Sequence, residues 1–278
     1  MNKIGRLSYL WQMKYIFPFL LLFFSKISPA QINFQPARAA GMGQASVAYR
    51  DVNSLLSNQA GLAWLEDLSV LATAERRFAL SELNSVAAGV ALPVGLGTFG
   101  FVAGSFGFED FRQQKLGLAY ARRLMDNFSV GAQFDYIQTR IPEYGSRGVI
   151  TFEAGMQGKL SKEITVGIHV FSPAKVEFAE GEYLPAIFRL GFAWLLSDKA
   201  LFAAELEKDV DFKARVKGGF EYRIAQPVYL RTGFGNNPST FHLGIGFLLN
   251  GNLTIATASA FHKNLVFPPA AGVGWTRG

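Results

Sequence analysis

Between positions 68 and 276, apolar or aromatic residues alternate with Gly, Thr, Gln or charged residues in about fourteen stretches, each cut off by a turn. Residues 128–140 show the pattern cleanly. Phe128, Val130, Ala132, Phe134 and Tyr136 fall on one face, and Ser129, Gly131, Gln133, Asp135 and Thr139 on the other. The same reading predicts strands over 68–78, 84–92, 98–106, 114–123, 128–140, 149–159, 164–171, 186–195, 201–208, 212–223, 228–234, 240–248, 253–261 and 270–276. A soluble sandwich would turn the apolar face inward. Here that face is assigned to lipid, which predicts an all-β fold: a transmembrane antiparallel β-barrel of about 14 strands.

Turns and prolines support the assignment. The even-numbered links, around 93–97, 125–127, 161–163, 197–199, 225–227 and 250–252, are tight and rich in turn formers. The odd links are mostly longer, at 107–113, 141–148, 172–185 and 262–269. This parity places the N-terminal side in the periplasm. Prolines 93, 142, 173, 185, 227, 238, 268 and 269 fall at boundaries or in loops, where no ladder hydrogen bond is lost.

Fourteen strands enclose more space than their own side chains fill. Inward positions repeatedly carry glycine, among them Gly117, Gly131, Gly155, Gly167, Gly191, Gly219, Gly233, Gly244 and Gly246, so something is expected to pack closely against that wall. The candidate is the non-alternating segment 31–67, read as a short N-terminal plug, with Asp51 or Asn53 capping a short helix that ends near Gly61. Ahead of it, Lys3, Arg6 and Lys14 precede an apolar run at 15–24 and then Ser28-Pro29-Ala30, which predicts a secretory signal over 1–30, with Met13 an alternative start. The expected organisation is signal 1–30, plug 31–67 and barrel 68–278.

Composition narrows the function. Half of the residues are hydrophobic and only 17% charged, yet after Phe24 no apolar run is long enough for a bilayer helix. With no cysteine, disulfides, thiol nucleophiles and cysteine metal sites drop out. The net charge of +6 is scattered and forms no stripe, so no nucleic-acid partner is expected. Gly95-Leu96-Gly97-Thr98-Phe99-Gly100 fits GxGxxG, but a strand follows it where a phosphate site needs a helix. His169, His242 and His262 lack metal-ligand spacing, and Ser259 with His262 falls on opposite strand faces. No enzyme activity, cofactor or metal is expected.

The charges that remain point into the lumen. A three-residue loop 209–211 would set Glu207 against Lys213 and Glu205 against Arg215; with Lys217, Glu153 and Arg189 these make a lumen polar network. Glu221, Arg223 and Arg231 share that face. In the loop 172–185, Val176, Phe178, Tyr183 and Leu184 are the candidate outer contact, or else they pack on the loop itself.

The leading segment also carries a family signal: Ala-Arg-Ala-Ala-Gly-Met-Gly at 37–43, Ala-Ser-Val-Ala at 45–48, Asp51, and Asn-Gln-Ala-Gly-Leu at 58–62. It resembles the FadL-like superfamily of outer-membrane barrels, particularly its PorV/PorQ-like branch, with Gln59 standing where that pattern has proline. The resemblance implies a plug motif of Arg38, Gly41, Gly43, Asp51, Asn58 and Gly61, and a place in the outer membrane of a Gram-negative bacterium. It implies one of two roles: a passive conduit or binding protein for small hydrophobic molecules, or a non-enzymatic accessory of a type IX-like secretion system that binds translocon or cargo. The partners would be membrane lipids, the outer-membrane assembly machinery that reads an aromatic near the C-terminus, here Trp275, and a hydrophobic ligand or a secretion-system component.

Overall fold

A computed structural model describes residues 34–76, 83–142, 145–179, 181–262 and 269–278, apart from the side chain of His262. The expected signal at 1–30, positions 31–33, the end of the first strand at 77–78, most of the loop 262–269 and the Ser259 to His262 side-chain relation lie outside these residues. The strands are β1 (Ser69–Arg76), β2 (Asn84–Val94), β3 (Gly97–Gly107), β4 (Arg112–Met125), β5 (Phe128–Ile141), β6 (Gly145–Lys159) and β7 (Ile164–Phe171). After a two-stranded hairpin, β8 (Glu177–Ala179) and β9 (Glu182–Tyr183), come β10 (Ile187–Ser197), β11 (Ala200–Asp209), β12 (Arg215–Ala225) and β13 (Val228–Gly235). The chain finishes with β14 (Thr240–Leu249), β15 (Leu253–His262) and β16 (Pro269–Thr276).

Leaving out β8 and β9, each strand pairs antiparallel with its neighbour in sequence, and β16 returns to β1, which closes a barrel of fourteen strands. The seam runs from Ser69 opposite Thr276 to Glu75 opposite Ala270, and the two hydroxyls at its foot lie 3.0 Å apart. Closure gives every barrel strand a partner on both sides, the condition for a sheet to sit in hydrocarbon, while the first half of β6, 145–152, runs on beyond the end of β7.

Polarity is inverted relative to a soluble protein. Phe134 is 67% exposed, while its neighbours Gln133 and Asp135 are 1% and 0% exposed. The same holds around the wall, where Leu118, Ile150, Phe188, Leu230 and Phe241 are exposed and Thr151, Arg189, Arg231 and His242 are buried. An apolar surface running right around the barrel suits lipid and would drive association in water.

Most boundaries fall within two residues of the alternation, and two differ by more. β6 starts at Gly145, four positions before the expected 149, because it stays paired with β5 as far as Ile141 opposite Gly145. β12 starts at Arg215 and not at 212, for a reason that also changes the site.

Candidate functional site

The lumen is occupied by the segment that precedes β1. Pro36 leads into helix α1 (Ala37–Gly41), whose extended entry suits a residue with fixed φ. Two 3-10 turns follow, Val52–Leu56 and Gln59–Trp64. The Asp51 carboxylate accepts from Asn53 N at 2.8 Å and the Asn58 side-chain oxygen accepts from Ala60 N at 3.1 Å, so each turn has a side-chain cap.

Seven of the nine inward glycines are where this segment touches the wall; Gly117 instead faces Gln133 and Asp135, and Gly246 the Arg231 guanidinium. A Cβ on Gly131 would stand 2.5 Å from the Ala60 nitrogen, and on Gly219 2.7 Å from Met42 Cα. Gly43 in turn has φ 65° and lies against the Gly218 and Phe234 carbonyls, so both a side chain and an ordinary backbone are excluded there. Gly41 packs on Arg231 and Gly244, and Gly61 on Ser54 and the Tyr49 carbonyl.

Three carboxylates on the wall hold the segment. Glu221 accepts from Arg38 at 3.0 and 2.6 Å and from Arg231 at 2.6 Å, and Arg38 also pairs with Asp51 and lies 4.7 Å from the Tyr49 ring centre. Burial opposes the Arg38 charge, but Glu221 and Asp51 outweigh it and hold its pKa above the ordinary value; burial pushes the Tyr49 hydroxyl up, so it stays neutral. Glu205 accepts the backbone amides of Ser46 and Val47 at 2.8 and 2.9 Å. Behind it, Lys217 bridges Glu205 at 3.2 Å and Glu207 at 2.5 Å, and Arg215 lies 3.5 Å from Glu207.

Glu153 is the third point and the most connected. It accepts from Gln59 Nε2 at 2.9 Å, pairs with Lys115, and lies 2.9 Å from His169 Nε2. Lys115 also reaches Asp135 at 3.2 Å. Arg189 Nη2 is 2.8 Å from His169 Nδ1 and donates to the Ser57 carbonyl at 2.6 Å. A guanidinium has only donors, so Nδ1 must accept; the ring proton is therefore assigned to Nε2, which donates to Glu153. Asn58 and Gln157 add bonds to the Val47 carbonyl at 2.8 and 3.1 Å.

At the short-turn end the plug closes on Trp64, whose Nε1 donates to Ser129 Oγ at 3.1 Å. Lys159 lies 3.8 Å from its ring centre and Arg50 and Arg123 lie 5.6 Å away, a cationic surround for one indole. Beside the segment lie a mixed cavity of about 280 Å³, with Arg38, Asp51, Glu221 and Tyr229 on its polar side and Val52 and Leu71 on its apolar side, and another of about 260 Å³ next to Leu65 and Arg123. Among the described residues, no three His, Cys, Asp or Glu side chains converge as a metal site would require.

The structure brings together Glu153 with Arg189, and Glu205, Glu207, Arg215 and Lys217. It does not bring Lys213 to them. The register pairs Glu207 with Arg215 and Glu205 with Lys217, two residues on from the expected pairing. Asp209 is the cause: its carboxylate accepts from Asp211 N at 3.1 Å and its carbonyl from Phe212 N at 3.2 Å, so 210–214 fold into a wider turn that leaves Lys213 exposed. The outer-loop residues also separate. Leu184 is 5% exposed and its amide bonds to Val176 O, Val176 and Phe178 are half-buried, and only Tyr183 is strongly exposed.

Lys115, Asp135, His169 and Gln59 belong to the network and were absent from the expected set. Strand parity already places the first three inward; nothing in the sequence marks them as mutual partners.

No protein-family model matches the chain and no curated protein matches it. Solved structures do share its fold. The Ralstonia pickettii toluene transporter TbuX superposes with a TM-score of 0.70 at 11% identity, covering 88% of this chain and 98% of that one. The CymD monoaromatic hydrocarbon channel gives 0.67 at 12% identity, covering 89% and 98%, and a Pseudomonas aeruginosa FadL homologue gives 0.59 at 11%, covering 87% and 96%. At these identities the similarity is one of fold.

Proposed function

We propose that this protein is a non-enzymatic outer-membrane conduit for small hydrophobic molecules, closed in the state described. The observation that carries the reading is a lumen closed by a separate segment, which packs among the wall's buried inward side chains such as Lys115, His169 and Lys217. That segment is fixed on one side by polar contacts centred on Glu153, Glu205 and Glu221, which exchange for water more readily than a packed apolar core, and on the β1–β4 side by an apolar cluster of Val52, Leu55 and Leu62 against Leu71, Ala91 and Val102. The barrel shares its fold with a toluene transporter and a monoaromatic hydrocarbon channel, which supports small aromatic hydrocarbons as the substrate class.

In this reading the segment moves as a hatch. Opening separates Gln59 from Glu153 and the 46–47 amides from Glu205, and water replaces both contacts. The expected outer contact for a secretion partner is not one patch, since Leu184 is buried, and no observation favours the accessory role or the PorV/PorQ-like branch.

The test is uptake of radiolabelled toluene by Gram-negative cells producing the protein in their outer membrane. Faster initial uptake than in cells carrying the empty vector is expected. Equal uptake, with the barrel shown to be folded by its heat-modifiable gel migration, would refute the conduit.

A further inference from the structure

The lipid-facing wall carries a feature that hydrocarbon solvation alone does not explain. One row of directly opposed residues runs Val273, Ala72, Ala88, Ala103, Leu116, Tyr136 across β16, β1, β2, β3, β4 and β5. Three alanines in succession make a floor about three strands, or roughly 14 Å, wide between taller side chains. The result is a notch of about 760 Å³ on the outside of the barrel, floored by alanine and flanked by Leu116 and Val273.

The notch changes character toward the long-loop rim. Two residues along β4 and β5 from Leu116 and Tyr136 stand Gln114 and Gln138, which also line it. Two residues further, roughly 7 Å by strand rise, Arg112 and Arg140 stand directly opposite each other, both exposed on the outer face. Like charges directly opposed across an antiparallel pair are unfavourable. Among the described residues neither guanidinium has a hydrogen-bond or ion-pair partner, and Glu109 and Asp110 in the adjoining turn pair with neither. The β3 residue beside Arg112 is Gly107, so no side chain stands between the arginines and the notch on that side.

We propose that this wall binds an anionic phospholipid of the surrounding leaflet, with an acyl chain in the alanine notch and the headgroup phosphate, uncompensated by a headgroup cation, bridging Arg112 and Arg140. The order of chemistry along the wall matches that of the lipid: apolar floor, neutral polar Gln114 and Gln138, then paired cations. A bridging phosphate gives each guanidinium a charge-assisted partner and removes the repulsion between them. The site lies outside the lumen and does not depend on whether the lumen transports anything.

Native mass spectrometry of the full protein, released from nanodiscs of equal parts dipalmitoyl phosphatidylglycerol and dipalmitoyl phosphatidylcholine, tests the assignment. The expected result is retention of the anionic lipid over the zwitterionic one by roughly thirtyfold, as two cations near a membrane surface imply. Arg112→Gln with Arg140→Gln should bring the two lipids to parity. Ala88→Phe, which fills the floor, should lower retention of both while the barrel stays folded by heat-modifiable migration. Arg122→Gln, on the same outer face of β4 at the short-turn end, should change nothing. Equal retention of both lipids by the unaltered protein would overturn the proposal. So would a preference that survives the arginine changes, that ignores Ala88→Phe, or that falls equally in Arg122→Gln. A dimer mass lost on Ala88→Phe would instead assign the notch to a second copy of the chain and equally overturn the lipid.

Discussion

Gln59 shows how one side chain ties the plug to the wall. It occupies a fully buried position, opens the second 3-10 turn and donates to Glu153, roles that proline could not combine because it has no side-chain donor. Gln59→Leu keeps the volume but leaves a Glu153 oxygen one donor short in a buried site, at a cost of about 1–3 kcal/mol. Urea unfolding from liposomes should show that loss, with Trp64 fluorescence shifting before the barrel signal. The inward glycines divide in a way the sequence half reveals. Their repetition on one face announces that something packs there; which residue meets which glycine is set by the plug's own turns. Gly219→Ala should therefore cost about 1–3 kcal/mol by overpacking Met42. Gly158→Ala, on the outward face of β6, where the Cβ would meet Val166 at an ordinary 3.6 Å, should stay within about 0.5 kcal/mol in the same titration.

At the scale of elements, strands were legible because lipid enforces strict alternation, and the side chains of any one strand keep their faces whatever the register does along it. Register between strands was legible only where turns are tight. The β11–β12 hairpin shows the limit, since Asp209 captures two amides beyond it and moves Arg215 and Lys217 into the places assigned to Lys213 and Arg215. The functional consequence is that Glu205, backed by Lys217, is free to receive the Ser46 and Val47 amides. Glu205→Ala leaves those amides unpaired and removes one of the two carboxylates facing Lys217, a break of the kind that costs about 3–5 kcal/mol in a buried network. Trypsin should then cut after Arg50 in the folded barrel, whereas the unaltered protein is cut there only once it unfolds. Mass analysis of the released fragment distinguishes the two, and unchanged protection would remove Glu205 from the set of plug anchors.

For the whole molecule, one inversion decides everything else. Because the outer wall meets hydrocarbon, the lumen becomes the place for every ionised side chain the barrel carries in its middle, and such groups persist there only in pairs or networks. The three carboxylate anchors are thus a consequence of the barrel as much as a device of the plug: Glu153, Glu205 and Glu221 need donors, and the segment supplies Gln59, two amides and Arg38. The sequence could not display this, since Arg38 and Glu221 lie 183 positions apart and meet only when the barrel closes. The inversion itself is measurable with a single outward residue. Phe134→Arg puts a charge in hydrocarbon near mid-strand and should cost about 2–4 kcal/mol in unfolding from liposomes, while Leu160→Arg, in a short turn at the rim, should cost about 0–1 kcal/mol. A soluble protein would show no such depth dependence, and Phe134→Arg, exposed as it is, would pass with little effect. Equal, small costs at both positions would put the apolar wall in water and remove the basis for reading the barrel as a membrane conduit.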